Sequence, residues 1–113
     1  MQELPIVNKA AALERLDSDE ELYGEVVEIF LEDTPIQLGK LDQALATNVV
    51  GEVTRISHSL KSASANIGAE RMSAASKQAE MASKNGSLDG LPELIASIRA
   101  EFEAVSRFLK NET

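Results

Sequence analysis

The chain has 113 residues, of which 43% are hydrophobic and 27% charged, a composition typical of one soluble domain with a single core. It contains no cysteine, which excludes a disulfide framework, a zinc–thiolate site and a cysteine nucleophile. The net charge of -8 disfavours nucleic acid and anionic lipid, and no apolar segment is long enough to span a membrane, so we expect protein or small-molecule partners.

Helical periodicity runs through nearly the whole sequence, and no segment alternates apolar and polar residues as a half-buried strand does. A short first helix is predicted from Lys9 to Leu16, with Asn8 as its N-cap. A second helix is predicted to begin at Ser18, because Ser18 and Glu21 match the pattern of a capping box.

Pro35 is predicted to separate this helix from a third one, because proline suits the first turn of a helix and is disfavoured in its interior. Apolar residues at spacings of three or four define the side of each helix that we expect to be buried. For the second helix these are Leu22, Val26, Ile29 and Phe30, and for the third they are Leu38, Leu41 and Leu45.

Three further helices are predicted in the second half of the chain, over residues 48–67, 69–85 and 92–110. Asn48 is the expected N-cap of the first of them, and Gly68 follows its end, where glycine commonly stops a helix. The small and apolar residues that recur in the last two helices favour close packing within a bundle.

The predicted fold is all-α. Helices joined by short connections are typical of an antiparallel four-helix bundle, here with an additional short N-terminal helix. We expect residues 1–113 to form a single helical domain. Residues 35–86 hold six basic and four acidic side chains and are the electropositive part, although charge alone favours the simpler interpretation of a solvated acidic helix beside an ordinary segment.

Motifs for most catalytic chemistry are absent from the sequence. There is no glycine-rich phosphate loop, and the acidic residues around Asp19 lack the spacing of a calcium-binding loop. The only histidine is His58, and because Arg55 precedes it by three residues, the E-x-x-H pattern of di-iron bundles is excluded.

His58 is predicted to face away from the core. At about 100° per residue, the apolar positions of its helix cluster in one stripe, and His58 lies on the opposite side. A lone solvent-facing histidine is most often only a surface residue, and geometry by itself favours that interpretation. The outer face around the ring consists mostly of small side chains and is expected to be flat. Its residues are Gly51, Thr54, Lys61, Ser62 and Ala65, with Arg55 at its margin.

The segment that begins at His58 reads H-S-L-K-S-A-S-A-N-I-G and closely resembles the signature of histidine-containing phosphotransfer (HPt) domains. That signature is roughly H-x-L-K-G-[SA]-[SA]-x-x-[ILV]-G, on a helix of a four-helix bundle. The resemblance extends along nearly the whole chain, through the D-E-E-L-Y start of the second helix, the F-L-E-D-T-P segment and the A-E-R-M segment after Gly68.

The resemblance implies that His58 accepts a phosphoryl group from the aspartyl phosphate of a response-regulator receiver domain and passes it to another receiver. Lys61 matches the family's lysine, which would offset the negative charge of phosphohistidine. Glu80 falls where the family often has a polar residue near the ring and would accept the Nδ1 proton, although an ordinary exposed glutamate fits the sequence equally well.

Ser62 departs from the family pattern, which has glycine four residues after the histidine. Serine adds one small polar group, so we expect transfer to survive and the preference among receivers to be affected. The surface expected to contact the receiver consists of Thr54, Arg55, Ser62 and Ala65.

The resemblance further implies a phosphoryl carrier, not an enzyme, because the chain offers a nucleophile but no nucleotide site and no metal-binding carboxylate cluster. We expect no cofactor on this domain and Mg²⁺ on the partner receiver. The alternative is a helical protein-interaction module without phosphotransfer, and self-phosphorylation from ATP ranks third because no nucleotide-binding motif is present.

The expected setting is a cytoplasmic monomer without nucleic-acid or membrane contacts. The L-P-I-V-N segment near the start resembles the entry to C-terminal domains of hybrid sensor histidine kinases. This favours a domain excised from such a kinase over a free-standing protein.

Overall fold

The computed structural model describes residues 4–111, which form five α-helices and no strand. The helices α2 to α5 pack into a bundle, with the most extensive contact between α3 and α4, and the short α1 lies against α2. This confirms the all-α, four-helix bundle with a short N-terminal helix. Every helix over residues 4–111 is too short or too polar to cross a membrane. The bounds are Lys9–Arg15 for α1, Glu20–Ala46 for α2, Val50–Asn66 for α3, Glu70–Ser83 for α4 and Leu91–Asn111 for α5.

Helix α2 runs without interruption through Pro35, so the predicted break there is wrong and the second and third predicted helices are one. Proline removes one backbone hydrogen bond and crowds the preceding turn, which is why a break was expected. Pro35 lies on the exposed side of α2, while Phe30, Thr34 and Leu38 are buried before and after it. Burial of this shared face outweighs the local preference of proline.

The buried face of α2 differs from the predicted one near the start of the helix. Leu22 and Ile29 were expected in the core, but they are 39% and 65% exposed, whereas Tyr23 is buried. The rotation of the continuous helix about its axis is set by the side chains along its whole length. With this rotation Leu22 and Ile29 face solvent. Its buried residues are Tyr23, Phe30, Thr34, Leu38, Leu41 and Ala44.

The N-cap of α2 is Asp19 and not Ser18. The Asp19 carboxylate accepts a hydrogen bond from the backbone N–H of Leu22 at 3.0 Å, while Ser18 adopts a left-handed backbone conformation in the preceding turn. The predicted cap of α1 is confirmed, because Asn8 Oδ1 accepts from the backbone N–H of Ala11 at 3.1 Å.

The N-cap of α3 lies one residue later than predicted, and the helix itself begins at Val50. Asn48 has a φ of 59°, a left-handed conformation that asparagine tolerates well, and Val49 is the N-cap without a side-chain hydrogen bond. The remaining ends of α3, α4 and α5 lie within two residues of their predicted positions.

The turn between α3 and α4 is held by the N-terminal part of the chain. Gly68 has a φ of 85°, and a β-carbon at this position would collide with the backbone carbonyl oxygen of Asn8. The backbone N–H of Asn8 donates to the Gly68 carbonyl at 2.8 Å, and the Tyr23 hydroxyl donates to the Ile67 carbonyl at 2.9 Å. Carbonyls at the end of α3 thereby obtain partners outside the helix, and this fixes the end of the helix that carries His58.

Gly68→Ala should destabilise the domain far more than Gly86→Ala. Both glycines have positive φ, but a β-carbon at Gly86 meets no atom within 4 Å. We expect Gly86→Ala to lower the free energy of unfolding by about 1–2 kcal/mol, the usual cost of a left-handed alanine. Gly68→Ala should lower the free energy of unfolding by this amount and by about 1–3 kcal/mol more, because of the steric collision. Urea denaturation measures both, and equal losses would show that the contact with Asn8 is not a constraint.

Candidate functional site

His58 lies on the outer side of α3, as the sequence predicts. Its side chain is 59% exposed, whereas Val53, Ile56 and Leu60 on the other side of the helix are buried. The Nε2 atom makes no hydrogen bond to any group in residues 4–111. One ring nitrogen is therefore open to a second macromolecule.

The other ring nitrogen is bound to Glu80 on the neighbouring helix α4. His58 Nδ1 lies 2.8 Å from Glu80 Oε2, and the Glu80 side chain is only 7% exposed. Glu80 thus lies beside the ring and is buried, unlike an ordinary exposed glutamate. Because an ionised carboxylate only accepts hydrogen bonds, Nδ1 carries the proton and Nε2 carries the lone pair of the neutral ring.

Lys61 binds the second carboxylate oxygen. Its Nζ lies 2.9 Å from Glu80 Oε1, so the two oxygens of Glu80 have different partners on α3. The hydrogen bond from Lys61 lowers the pKa of Glu80 to about 2, and the bond from His58 acts in the same direction, against the opposing effect of burial. Glu80 is therefore ionised at neutral pH.

A second lysine, which the sequence reasoning missed, lies near the same carboxylate. Lys84 Nζ is 3.7 Å from Glu80 Oε2, and the Lys84 side chain is 61% exposed. Its position four residues after Glu80, at the C-cap of α4, is the signal that would have revealed it. With one carboxylate and two ammonium groups, the surroundings of the neutral ring carry a net positive charge.

The four residues predicted to contact a partner all lie on α3, but their surroundings differ. Ser62 is exposed one turn after the histidine, and Arg55 is exposed and paired with Glu52 on its own helix. Thr54 is half-buried, with its hydroxyl 2.7 Å from that of Ser83 on α4.

Ala65 lies nearer the end of α3. It is half-buried, and its carbonyl accepts a hydrogen bond from Arg15 Nη1 at 3.2 Å. Ser62 and Arg55 are thus the fully open members of the predicted surface.

Helix α2 exposes two large apolar side chains, one of which adjoins the helix that carries His58. Ile29 and Ile36 are 65% and 57% exposed and, at a spacing of seven residues, lie on the same side of α2. Ile29 also lines a cleft of about 180 Å³ together with Ser59 of α3. This exposed surface was not predicted, because the sequence analysis assigned Ile29 to the core.

A helical bundle that presents one exposed imidazole, held through its other nitrogen by a buried carboxylate, has the form expected of a helical phosphotransfer domain. The chain belongs to the Hpt domain family, which matches residues 25–108. The resemblance found in the sequence is thereby confirmed, and it gives the domain a phosphotransfer role in two-component signalling.

A solved structure supports the same assignment. The chain is similar to the crystal structure of histidine-containing phosphotransfer protein B (HptB) from Pseudomonas aeruginosa PAO1, with a TM-score of 0.88 and 25% sequence identity. The match covers 97% of this chain and 96% of that chain. No curated protein sequence matches the chain.

The stability of the domain should depend on pH through Glu80 in the acid range. The pKa of Glu80 is about 2 in the folded state against an ordinary value of 4.5, so between these values the unfolded chain binds a proton that the folded chain does not. The stabilisation from Glu80 is therefore complete above about pH 4.5 and is lost as the pH falls towards 2. Urea denaturation at several pH values should show wild type losing its advantage over Glu80→Gln across this window.

Lys61→Met tests the cause of the low pKa of Glu80, because the hydrogen bond from Lys61 contributes most to lowering it. Carbon-13 NMR titration of the Glu80 carboxyl should give a higher pKa in Lys61→Met than in wild type. A wild-type Glu80 that titrates near 4.5 would contradict the ion pairs described above.

Proposed function

We propose that this domain is a phosphorelay intermediate that accepts a phosphoryl group on His58 from the aspartyl phosphate of one receiver domain and passes it to another. The observation that carries this proposal is the 2.8 Å contact between His58 Nδ1 and the buried Glu80 carboxylate. It leaves Nε2 as an exposed nucleophile in the correct tautomer.

In the transfer step the Nε2 lone pair of His58 attacks the phosphorus of the aspartyl phosphate. The bond between phosphorus and the aspartate oxygen breaks, and the receiver's aspartate leaves as a carboxylate. The phosphorylated ring keeps its proton on Nδ1, where the negative charge of Glu80 stabilises the positive charge that develops on the imidazole. The reverse displacement, by the aspartate of a second receiver, regenerates the neutral ring.

Lys61 and Lys84 supply positive charge near the incoming phosphoryl group. In the unphosphorylated domain Lys61 is bound to Glu80 Oε1, and Lys84 lies within 3.7 Å of Oε2. Two ammonium groups beside one carboxylate leave an excess positive charge, which favours a phosphoryl group carrying about two negative charges. We assign the charge compensation expected of Lys61 to this pair of lysines.

We assign the Mg²⁺ ion of the transfer step to the receiver. Over residues 4–111 no three histidine, aspartate or glutamate side chains are grouped as metal ligands. The domain then acts as a carrier without turnover of its own, because the acidic, metal-bearing pocket that activates the phosphoryl group belongs to the partner.

We place the receiver on the outer face of α3 and on the exposed apolar residues of α2. The α3 part consists of Thr54, Arg55, Ser62 and Ala65, and Ile29 and Ile36 extend the surface towards α2. Apolar side chains at the centre of such a contact supply most of the binding free energy, while the charges at its edge govern the rate of encounter. The monomeric state, the cytoplasmic location and the origin in a hybrid sensor kinase stay predictions.

His58→Gln should abolish phosphotransfer. The experiment incubates the domain with a phosphorylated receiver in the presence of Mg²⁺ and follows the label on the domain. Wild type should acquire an acid-labile phosphate, because a phosphorus–nitrogen bond hydrolyses in acid, and His58→Gln should acquire none. Ser62→Gly, which introduces the glycine of the family pattern beside the ring, should retain transfer as the matched control.

Two results of the same experiment would contradict the proposal. Binding of the receiver without transfer would support the alternative of a helical protein-interaction module. Labelling of the domain by ATP, in the absence of any receiver, would support self-phosphorylation instead.

Ile29→Lys should weaken binding of the receiver while leaving the fold intact, because Ile29 is 65% exposed and contributes little to the core. We expect an increase in Kd of about tenfold, corresponding to about 1.4 kcal/mol. Isothermal titration calorimetry measures the change, and urea denaturation should show a loss of stability below about 0.5 kcal/mol.

Leu4→Lys is the matched control for this substitution. Leu4 is also an exposed apolar residue, but it lies beside α4 and α5, near Arg71 and Glu101. Leu4→Lys should leave the Kd for the receiver unchanged. Equal effects of the two substitutions would show that the α2 surface is not part of the receiver contact.

A further inference from the structure

We infer that Ser83 and Ser73 of α4 are positioning residues for His58, because their hydroxyls bond to α3 on either side of the contact between His58 and Glu80. This inference rests on the proposed function of His58 as the phosphoryl acceptor. It adds two residues that lie outside the outer surface offered to a receiver.

The first of these hydrogen bonds lies one turn before His58. Thr54 Oγ1 and Ser83 Oγ are 2.7 Å apart, and the Ser83 hydroxyl also lies 2.8 Å from the backbone carbonyl of Glu80. The Thr54 hydroxyl is 3.3 Å from its other acceptor, the carbonyl of Val50. The shorter distances favour one direction, in which Thr54 donates to Ser83 and Ser83 donates to the carbonyl of Glu80.

The second hydrogen bond lies one turn after His58. Ser73 Oγ on α4 donates to the backbone carbonyl of Lys61 on α3 at 3.0 Å. Lys61 is also the residue whose ammonium group binds Glu80. Ser73 therefore fixes the backbone from which the Lys61 side chain reaches the carboxylate.

The two bonds enclose the polar part of the contact between antiparallel helices. Along α3 the order is Thr54, His58, Lys61, and their partners occur in the reverse order along α4, as Ser83, Glu80 and Ser73. Ser83 is almost fully buried, so water does not compete for its hydroxyl. Such bonds between helices fix their spacing and register more sharply than apolar contacts, which tolerate small shifts.

The spacing of α3 and α4 decides whether Glu80 holds Nδ1. The distance between Nδ1 and Oε2 is 2.8 Å, and N–H···O hydrogen bonds are found at about 2.7–3.2 Å. A separation of the helices by about half an ångström would exceed this range, and the neutral imidazole would then also populate the tautomer with the proton on Nε2. That tautomer has no lone pair on the exposed nitrogen and is not a nucleophile there.

The test compares Ser83→Ala and Ser73→Ala with Ser76→Ala. Ser76 is a buried serine of the same helix, one turn before Glu80, and its hydroxyl bonds to the carbonyl of Met72 on its own helix. Nitrogen-15 NMR of the imidazole, without any receiver, measures the tautomer, and single-turnover transfer from a phosphorylated receiver measures the rate. Stability is measured in parallel by urea denaturation.

We expect Ser83→Ala and Ser73→Ala to shift the Nε2 signal towards that of a protonated nitrogen and to slow transfer by about fivefold to tenfold. Ser76→Ala should change neither. An unchanged tautomer in both Ser83→Ala and Ser73→Ala, with a loss of stability only, would overturn the inference and leave the serines a purely structural role.

Thr54 supplies a second pair of variants that leaves Ser83 and Ser73 unaltered. Thr54→Val removes the hydroxyl at nearly constant shape and should shift the His58 tautomer as Ser83→Ala does. Thr54→Ser keeps the hydroxyl and should show the wild-type tautomer. Because the tautomer is read without a receiver, its shift would support the inference even if wild type failed to accept phosphate. Failure of wild type to accept phosphate would count against the proposed function alone.

Discussion

Glu80 places a negative charge at the contact between α3 and α4, where its side chain is almost entirely removed from solvent. A buried carboxylate is unfavourable unless its oxygens are bonded to cations or strong donors. Lys61 and His58 satisfy one oxygen each. These bonds compensate for the burial of Glu80 and thereby stabilise the contact between the two helices. The bond to His58 also holds the imidazole proton on Nδ1 and leaves the lone pair on Nε2.

The surroundings of the histidine combine a rigid contact with an open surface. Behind the ring, Thr54, Ser83 and Ser73 link the two helices through short hydrogen bonds. Helix α2, on its solvent side, exposes Ile29 and Ile36, although apolar residues of this size are usually buried. The proposed carrier would need both properties, because its reacting nitrogen has to be held in place while the surface around it stays accessible.

The sequence predicted the class of fold and the position of the reactive ring. Helical periodicity and the glycine after α3 located most helix ends within two residues, and the stripe of Val53, Ile56 and Leu60 placed His58 on the outer side. The break at Pro35 and the burial of Ile29 were predicted wrongly. Both errors concern α2, where packing along 27 residues outweighs the preference of one proline and sets the rotation of the helix.

The sequence by itself determined that the chain is helical, that its one histidine faces outward and that its motif is that of a phosphotransfer domain. Only the tertiary structure decided that Glu80 is buried against the ring, that Lys84 joins Lys61 beside it, and that two serines of α4 tie the helices together. The reason is that helical periodicity depends on neighbours along the chain. The distance between two helices is instead set by every side chain at their contact.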